Sequence, residues 1–337
     1  MKPRLARSPG KSTRRAMLRH LGACAAALAA SPLAAQTPPL GTQRVKGPRV
    51  FLDLDQAELD AAYDQSVWAP NQSEVAKRRV ASSEAARRRL GEPTRLSYGP
   101  TPIESLDLYP AKQAGAPIMI FIHGGAWRAG RARDFAFPAE VFVDAGAHFI
   151  APDFVAVQDA GGRLTVMADQ VRRAVAWVAR NASGFAGDAD RIFLSGHSSG
   201  AHLAGVVLTT DWEHDFSLPA GTIKGGLCCS GMFDLRGPRL SARSSYVRFD
   251  DPTEEALSPQ RHLDKIRCPV TLAYGSLESP EFQRQSKDFA AALRQAAKPV
   301  QLLVGEGYNH FEMLETLGNP YGLLGRAALQ LMHLRAG

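Results

Sequence analysis

From residue 95 onward, short apolar runs alternate with longer stretches in which apolar positions recur every three or four residues. Arg95–Tyr98 and Ser105–Tyr109 read as edge strands, followed by the apolar runs Ile118–Ile122, His148–Ala151, Arg191–Ser195, Ile223–Cys229, Val270–Tyr274 and Val300–Val304. Such runs are the mark of strands covered on both faces. The helical period fills the gaps near Phe135–Val143, Leu164–Asn181, Gly200–Thr209, Glu281–Ala297 and Pro320–Leu334. Strands alternating with helices predict an α/β fold: a mostly parallel central sheet with helices on both faces. Chemistry in such sheets gathers at the carboxyl ends of the strands.

Upstream, helical signals lie around Leu54–Tyr63 and from Asn71, where Asn71 and Glu74 stand at capping-box spacing and Gly91 supplies the stop. Residues 36–48 mix Pro, Gly and polar residues without period and read as a linker, so the folded α/β domain spans residues 49–337. Within it, residues 233–265 lack a clear strand and contain Pro238, Pro252, Pro259 and many charges. This insert is expected to form a lid.

The first 35 residues follow another logic. Seven Lys or Arg residues precede the run Leu21–Ala30, and small residues at Ala30, Ser31, Ala34 and Ala35 offer a cleavage site. That is the layout of a signal peptide, and Ser12-Thr-Arg-Arg-Ala-Met-Leu18 resembles a twin-arginine export signal. The alternative is an amphipathic anchor helix, but the run is short and rich in alanine rather than leucine. The expected location is the periplasm or the exterior, with no stable membrane insertion after cleavage.

Removing that segment changes the charge balance. The whole chain has 40 basic and 33 acidic residues; without the seven basic residues of the leader, 33 face 33. The calculated pI of 9.4 belongs to the address signal and gives no support for nucleic-acid binding. The domain retains Cys228, Cys229 and Cys268. Adjacent Cys228 and Cys229 point to opposite faces of a strand, so they read as buried thiols, with a disulfide from Cys268 to one of them as the alternative.

Gly196-His-Ser-Ser-Gly200 follows a strand and opens a helix. A G-x-S-x-G segment at such a turn exposes its serine at a helix amino terminus, which makes Ser198 the candidate nucleophile. His123-Gly-Gly-Ala-Trp127 follows the strand Ile118–Ile122. Its glycines can present backbone donors to a developing alkoxide, so the candidate oxyanion hole is the N–H groups of Gly124, Gly125 and Ser199. His123 reads as a structural hydrogen bonder. In this chain order the base comes last, and His310, just beyond Val300–Val304, is the histidine in that place. The acid belongs after the preceding strand, where the loop offers Glu278. Glu281 is the nearest rival and Asp234 a more distant one.

Chain position nominates Trp127, Tyr246 and Phe311, with Phe135 and Phe249, as pocket residues for an aromatic or small apolar group. No cluster of His, Cys or carboxylates has metal-ligand spacing, and the chemistry requires no cofactor. The expected substrate is a small ester or amide. Alternatives are an amidase or carbamate hydrolase acting on an aromatic xenobiotic, or a non-catalytic binding protein on the same scaffold.

From about residue 64 to its end the chain resembles the kynurenine formamidase (arylformamidase) family of α/β-hydrolases. The likeness is carried by Trp68-Ala-Pro-Asn-Gln72, Leu106-Asp-Leu-Tyr-Pro110, His123-Gly-Gly-Ala-Trp127, Gly196-His-Ser-Ser-Gly-Ala-His-Leu203, Asp211-Trp212, Ser230-Gly-Met-Phe-Asp-Leu235, Ser279-Pro-Glu-Phe-Gln-Arg-Gln-Ser286 and His310-Phe311. The resemblance implies a triad of Ser198, Glu278 and His310 with the oxyanion hole on the H-G-G-x-W segment. The family usually has alanine where this chain has Ser199, and aspartate where it has Glu278. A formamidase of tryptophan breakdown would work in the cytoplasm, so an export signal sets this chain apart.

Overall fold

The computed structural model describes residues 45–337. The leader 1–35 and most of the linker 36–48 lie outside the described residues.

Eight strands form one sheet: β1 (Thr94–Ser97), β2 (Ser105–Tyr109), β3 (Ala116–Ile122), β4 (His148–Pro152), β5 (Gly187–His197), β6 (Ile223–Cys229), β7 (Val270–Gly275) and β8 (Val300–Gly305). Their spatial order is β8-β7-β6-β5-β3-β4-β2-β1. Strands β3 to β8 run parallel, and β2 and β1 join at one edge in antiparallel pairing. A separate two-stranded ribbon, Arg49–Phe51 with Leu54–Asp55, precedes the sheet.

Eleven α-helices are described: α1 (Gln56–Tyr63), α2 (Gln72–Leu90), α3 (Ala139–Asp144), α4 (Leu164–Asn181), α5 (Ser199–Leu208), α6 (Trp212–Phe216), α7 (Arg236–Leu240), α8 (Asp251–Ala256), α9 (Pro280–Gln295), α10 (His310–Glu315) and α11 (Leu323–Leu331). The two-residue period of the strands sorts the core. Ile118, Ile120 and Ile122 of β3 pack with Leu59 of α1, Val171 of α4, Leu203 of α5 and Phe282 of α9. Met119 and Phe121, pointing the other way, pack with Phe142 of α3, Met313 of α10 and Leu324 of α11. Helices therefore cover both faces, and burying side chains of this size contributes about 1.5–3 kcal/mol each. Cys228 and Cys229 fall on opposite faces in the same way, and all three described cysteines are free, buried thiols. The alternative disulfide from Cys268 is thus corrected. Burial pushes the Cys268 thiol up to about 12, which keeps it protonated and unreactive.

Several local expectations change. Helical signal begins at Phe135, but Pro138 has no N–H to give and only a 3-10 turn, Ala132–Phe135, precedes it; α3 starts beyond. The terminal helix is shorter than Pro320–Leu334, with Gly322 as its N-cap. Asn71 flanks α2 but makes no side-chain cap there. Its amide is spent on a distant helix, donating to Glu312 Oε1 at 2.7 Å and accepting from Asn309 at 2.8 Å. Asp55 and Glu58 form the real capping box, on α1. Among the described residues no helix is long and apolar enough to cross a membrane.

Candidate active site

The carboxyl ends of the central strands bring the candidate residues together. Ser198 follows β5 with φ 57° and ψ −127°, a conformation that a residue bearing a Cβ adopts only under strain. Its N–H donates to the Cys229 carbonyl at 2.9 Å, which ties the turn to the next strand. Gly200 is required here, because a Cβ at that position would lie 2.1 Å from the Ile122 carbonyl oxygen. This near contact is what lets α5 start directly beneath β3.

His310 is the first residue of α10, beyond β8, and its helix is held by a capping box of Asn309 and Glu312. Its Nδ1 lies 3.0 Å from Glu278 Oε2. Donation from Nδ1 to the carboxylate leaves Nε2 as the lone-pair nitrogen. Glu278 is 1% exposed, and its other oxygen accepts from the Ser230 hydroxyl at 2.5 Å and the Gly275 N–H at 2.7 Å. The rivals are engaged elsewhere. Glu281 accepts from Tyr63 and from both sides of the Arg284 fork, while Asp234 accepts from the Arg236 N–H and from Arg261.

His197 supports the backbone of His310: its Nε2–H donates to the His310 carbonyl at 2.8 Å. Burial, with His310 alongside, holds the His197 imidazole well below its ordinary range, so it stays a neutral donor. His123 is also structural. Its ring is stacked between Phe154 at 4.3 Å and Phe135 at 5.3 Å, and its Nδ1–H donates to the Gly124 carbonyl.

The loop after β3 wraps against Ser198. A Cβ on Gly124 would meet the His197 carbonyl oxygen at 2.7 Å and the Ser198 Cβ at 3.1 Å, and Gly125 sits at φ +128° with the Ala129 carbonyl in the way of any side chain. Among the described residues, no hydrogen bond takes the N–H of Gly124, Gly125 or Ser199. The Ser199 hydroxyl fastens the loop by accepting from the Trp127 N–H at 3.2 Å.

Ser198, His310, Gly125, Tyr246 and Phe311 all line one cleft of about 460 Å³. Trp127, Phe135 and Phe249, nominated with them, are not among the residues lining this cleft. Positive φ at Ala126 and Trp127 turns the indole inward, where it is 2% exposed and donates to His202 Nδ1 at 3.2 Å. His202 Nε2–H in turn donates to the Leu257 carbonyl at 2.8 Å, linking the loop to the 233–265 insert. Phe135 belongs to the core behind the sheet.

Sequence reasoning missed several cleft residues. Tyr63, Asp64 and Gln65 come from the end of α1 and the turn beyond it, a region that reads as standing ahead of the catalytic core; Arg243 comes from the insert. Only the Trp68–Gln72 stretch of the family pattern hinted that this upstream region mattered. Among the described residues no group of His, Cys, Asp or Glu is arranged to hold a metal.

A family model described as BD-FAE matches residues 106–224. The chain is similar to a kynurenine formamidase of Danio rerio, 32% identical over 83% of this chain and 97% of that protein, and to one of Salmo salar, 32% identical over 79% and 92%. The chain belongs to the kynurenine formamidase family. As a member it is an α/β-hydrolase acting on small esters or amides. Among solved structures, this family member is similar to a candidate thioesterase from Silicibacter sp. TM1040, with a TM-score of 0.70 over 80% of this chain and 98% of that one. At 24% identity that likeness carries the fold alone.

Proposed function

We propose that the protein is an exported serine hydrolase that cleaves a carboxylic ester or an aryl formamide through Ser198, His310 and Glu278. The observation that carries the reading is the placement of a strained Ser198 and a His310 already paired with a buried carboxylate on one cleft.

In this mechanism His310 Nε2 takes the Ser198 proton as Oγ attacks the carbonyl, forming a tetrahedral intermediate. The N–H groups of Gly124, Gly125 and Ser199 receive the oxyanion, an interaction stronger in the transition state than in the substrate. His310 passes its proton to the leaving alcohol or amine and an acyl-enzyme remains. Water, activated by the same nitrogen, then releases the acid. Glu278 stays ionised throughout and stabilises the imidazolium. Tyr246 and Phe311 on the cleft wall favour an aromatic group, and the names of the Danio and Salmo relatives support a formamide as one substrate. Export rests on the twin-arginine pattern at residues 12–18.

Hydrolysis of 4-nitrophenyl acetate and N-formylkynurenine by the purified mature protein, beside Ser198→Ala, tests the reading. Cleavage of either compound that is lost in the variant supports it. Full activity in Ser198→Ala overturns it.

A further inference from the structure

Arg243 sits on the 3-10 turn Ala242–Ser245 of the insert and turns its side chain inward, leaving the residue 7% exposed. It lines the same cleft as Ser198 and His310. Its Nη2 donates to the Tyr63 carbonyl at 2.8 Å and its Nη1 to the Tyr246 hydroxyl at 2.9 Å. The guanidinium carbon lies 5.4 Å from the Trp127 ring centroid and 5.9 Å from that of Tyr63. Every group holding the side chain is therefore neutral. Its Nε is buried with no partner, and among the described residues no carboxylate forms an ion pair with it.

This is unusual within the insert itself. Arg239 pairs with Asp251 and Glu254, and Arg261 pairs with Asp234, Glu254 and Glu255. Two aspartates line the cleft, but neither pairs with Arg243, and one oxygen of each is engaged locally. Asp60 Oδ1 accepts from the Ala242 N–H at 2.6 Å and from Gln56, and Asp64 Oδ1 accepts from the N–H and hydroxyl of Ser66. A second cation, Arg128, lies along the same cleft, 4.6 Å over the Tyr246 ring. Taking a guanidinium out of water without a counter-charge is costly, and its planar fork of five donors, two of them used here, matches a carboxylate.

We propose that Arg243 is an anion subsite, and that the substrate carries a carboxylate which reaches it while the scissile carbonyl lies at Ser198. This rests on the serine-hydrolase reading above. The carboxylate supplies the missing counter-charge and takes the free donors through charge-assisted hydrogen bonds. Arg128 at the cleft attracts the same charge during encounter. Substrate selection at this site is thus by charge as well as by aromatic contact.

Two arms test the subsite. The first compares mono-4-nitrophenyl adipate with 4-nitrophenyl heptanoate, similar in length but neutral, in the wild type, Arg243→Gln and Arg243→Lys. The expected ratio of kcat/KM, anionic over neutral, is about tenfold or more in the wild type, carried by KM; it collapses toward one in Arg243→Gln and is partly kept in Arg243→Lys. A purely structural arginine would slow both esters alike and leave the ratio in place. The second arm needs no variant: 3-phenylpropanoate should inhibit heptanoate-ester hydrolysis competitively and at least tenfold more strongly than 3-phenylpropanamide. A wild-type ratio at or below one with no carboxylate inhibition, or a ratio that survives Arg243→Gln, overturns the subsite. Failure of the wild type to cleave either ester would instead contradict the hydrolase reading beneath it.

Discussion

The Ser230 hydroxyl donates to Glu278 Oε1 at 2.5 Å while Oε2 of the same carboxylate faces His310 Nδ1. Ser230 stands at the end of β6 at φ 57°, with its N–H fixed on the Ala273 carbonyl at 2.7 Å. It thus positions a carboxylate whose own loop belongs to β7. A glutamate is one methylene longer than the aspartate usual in this family, and a second anchor keeps that longer chain in one rotamer. Ser230→Ala is expected to lower kcat for 4-nitrophenyl acetate about tenfold with little change in KM, because a hydrogen bond to a charged group is removed without touching the substrate. An unchanged rate would show that Ser230 does not position Glu278.

The second hydroxyl at the turn, Ser199, acts on the opposite wall by accepting from the Trp127 N–H. Ser199→Ala leaves that buried donor without a partner, at a cost of about 1 kcal/mol, and loosens the loop that carries Gly124 and Gly125. The expected result is a roughly fivefold loss in kcat with the fold retained, read by steady-state kinetics and thermal melting together.

Stability should fall early on the acid side. Burial holds the His202 imidazole down to about 4, against an ordinary value of 6.5, and His197 and His123 are lowered by burial as well. Below pH 6.5 the unfolded chain binds protons that the folded chain refuses. The His202 contribution is therefore complete above pH 6.5, erodes as pH falls, and is lost by about pH 4. At pH 5 this amounts to about 2 kcal/mol from His202 alone. His202→Gln can still accept from Trp127 and donate to Leu257, so it should flatten the decline in Tm between pH 6.5 and 5 by about 4 °C. An identical slope in the variant would show that His202 does not carry this loss.

Export is checked by fractionating cells that express the full chain beside Arg14→Lys/Arg15→Lys. The native chain is expected in the periplasm or medium without its leader, and the double variant in the cytoplasm at full length. Native protein found uncleaved in the cytoplasm would contradict export.

The strand–helix alternation was legible because parallel strands buried on both faces, such as Ile118–Ile122, must be apolar at nearly every position. Chain order in this topology nominated Ser198, Glu278 and His310, and the fold brings His310 against Glu278 with Ser198 on the same cleft. Side-chain direction was not legible. Trp127 directly follows the glycine loop, yet two consecutive residues at positive φ rotate its ring into the core. Asn71 has the local spacing of a cap but is used by α10, 238 residues away. Arg243 is one of many charges in the insert, and only the fold reveals that its neighbours there are paired while it is not.

The central claim is that Ser198 is the nucleophile, and covalent labelling tests it most directly. The purified protein is treated with a fluorophosphonate probe, its intact mass is measured, and the modified peptide is mapped. The account predicts one label per chain on Ser198 and none on Ser198→Ala. Labelling of a different residue, or equal labelling of Ser198→Ala, would contradict it.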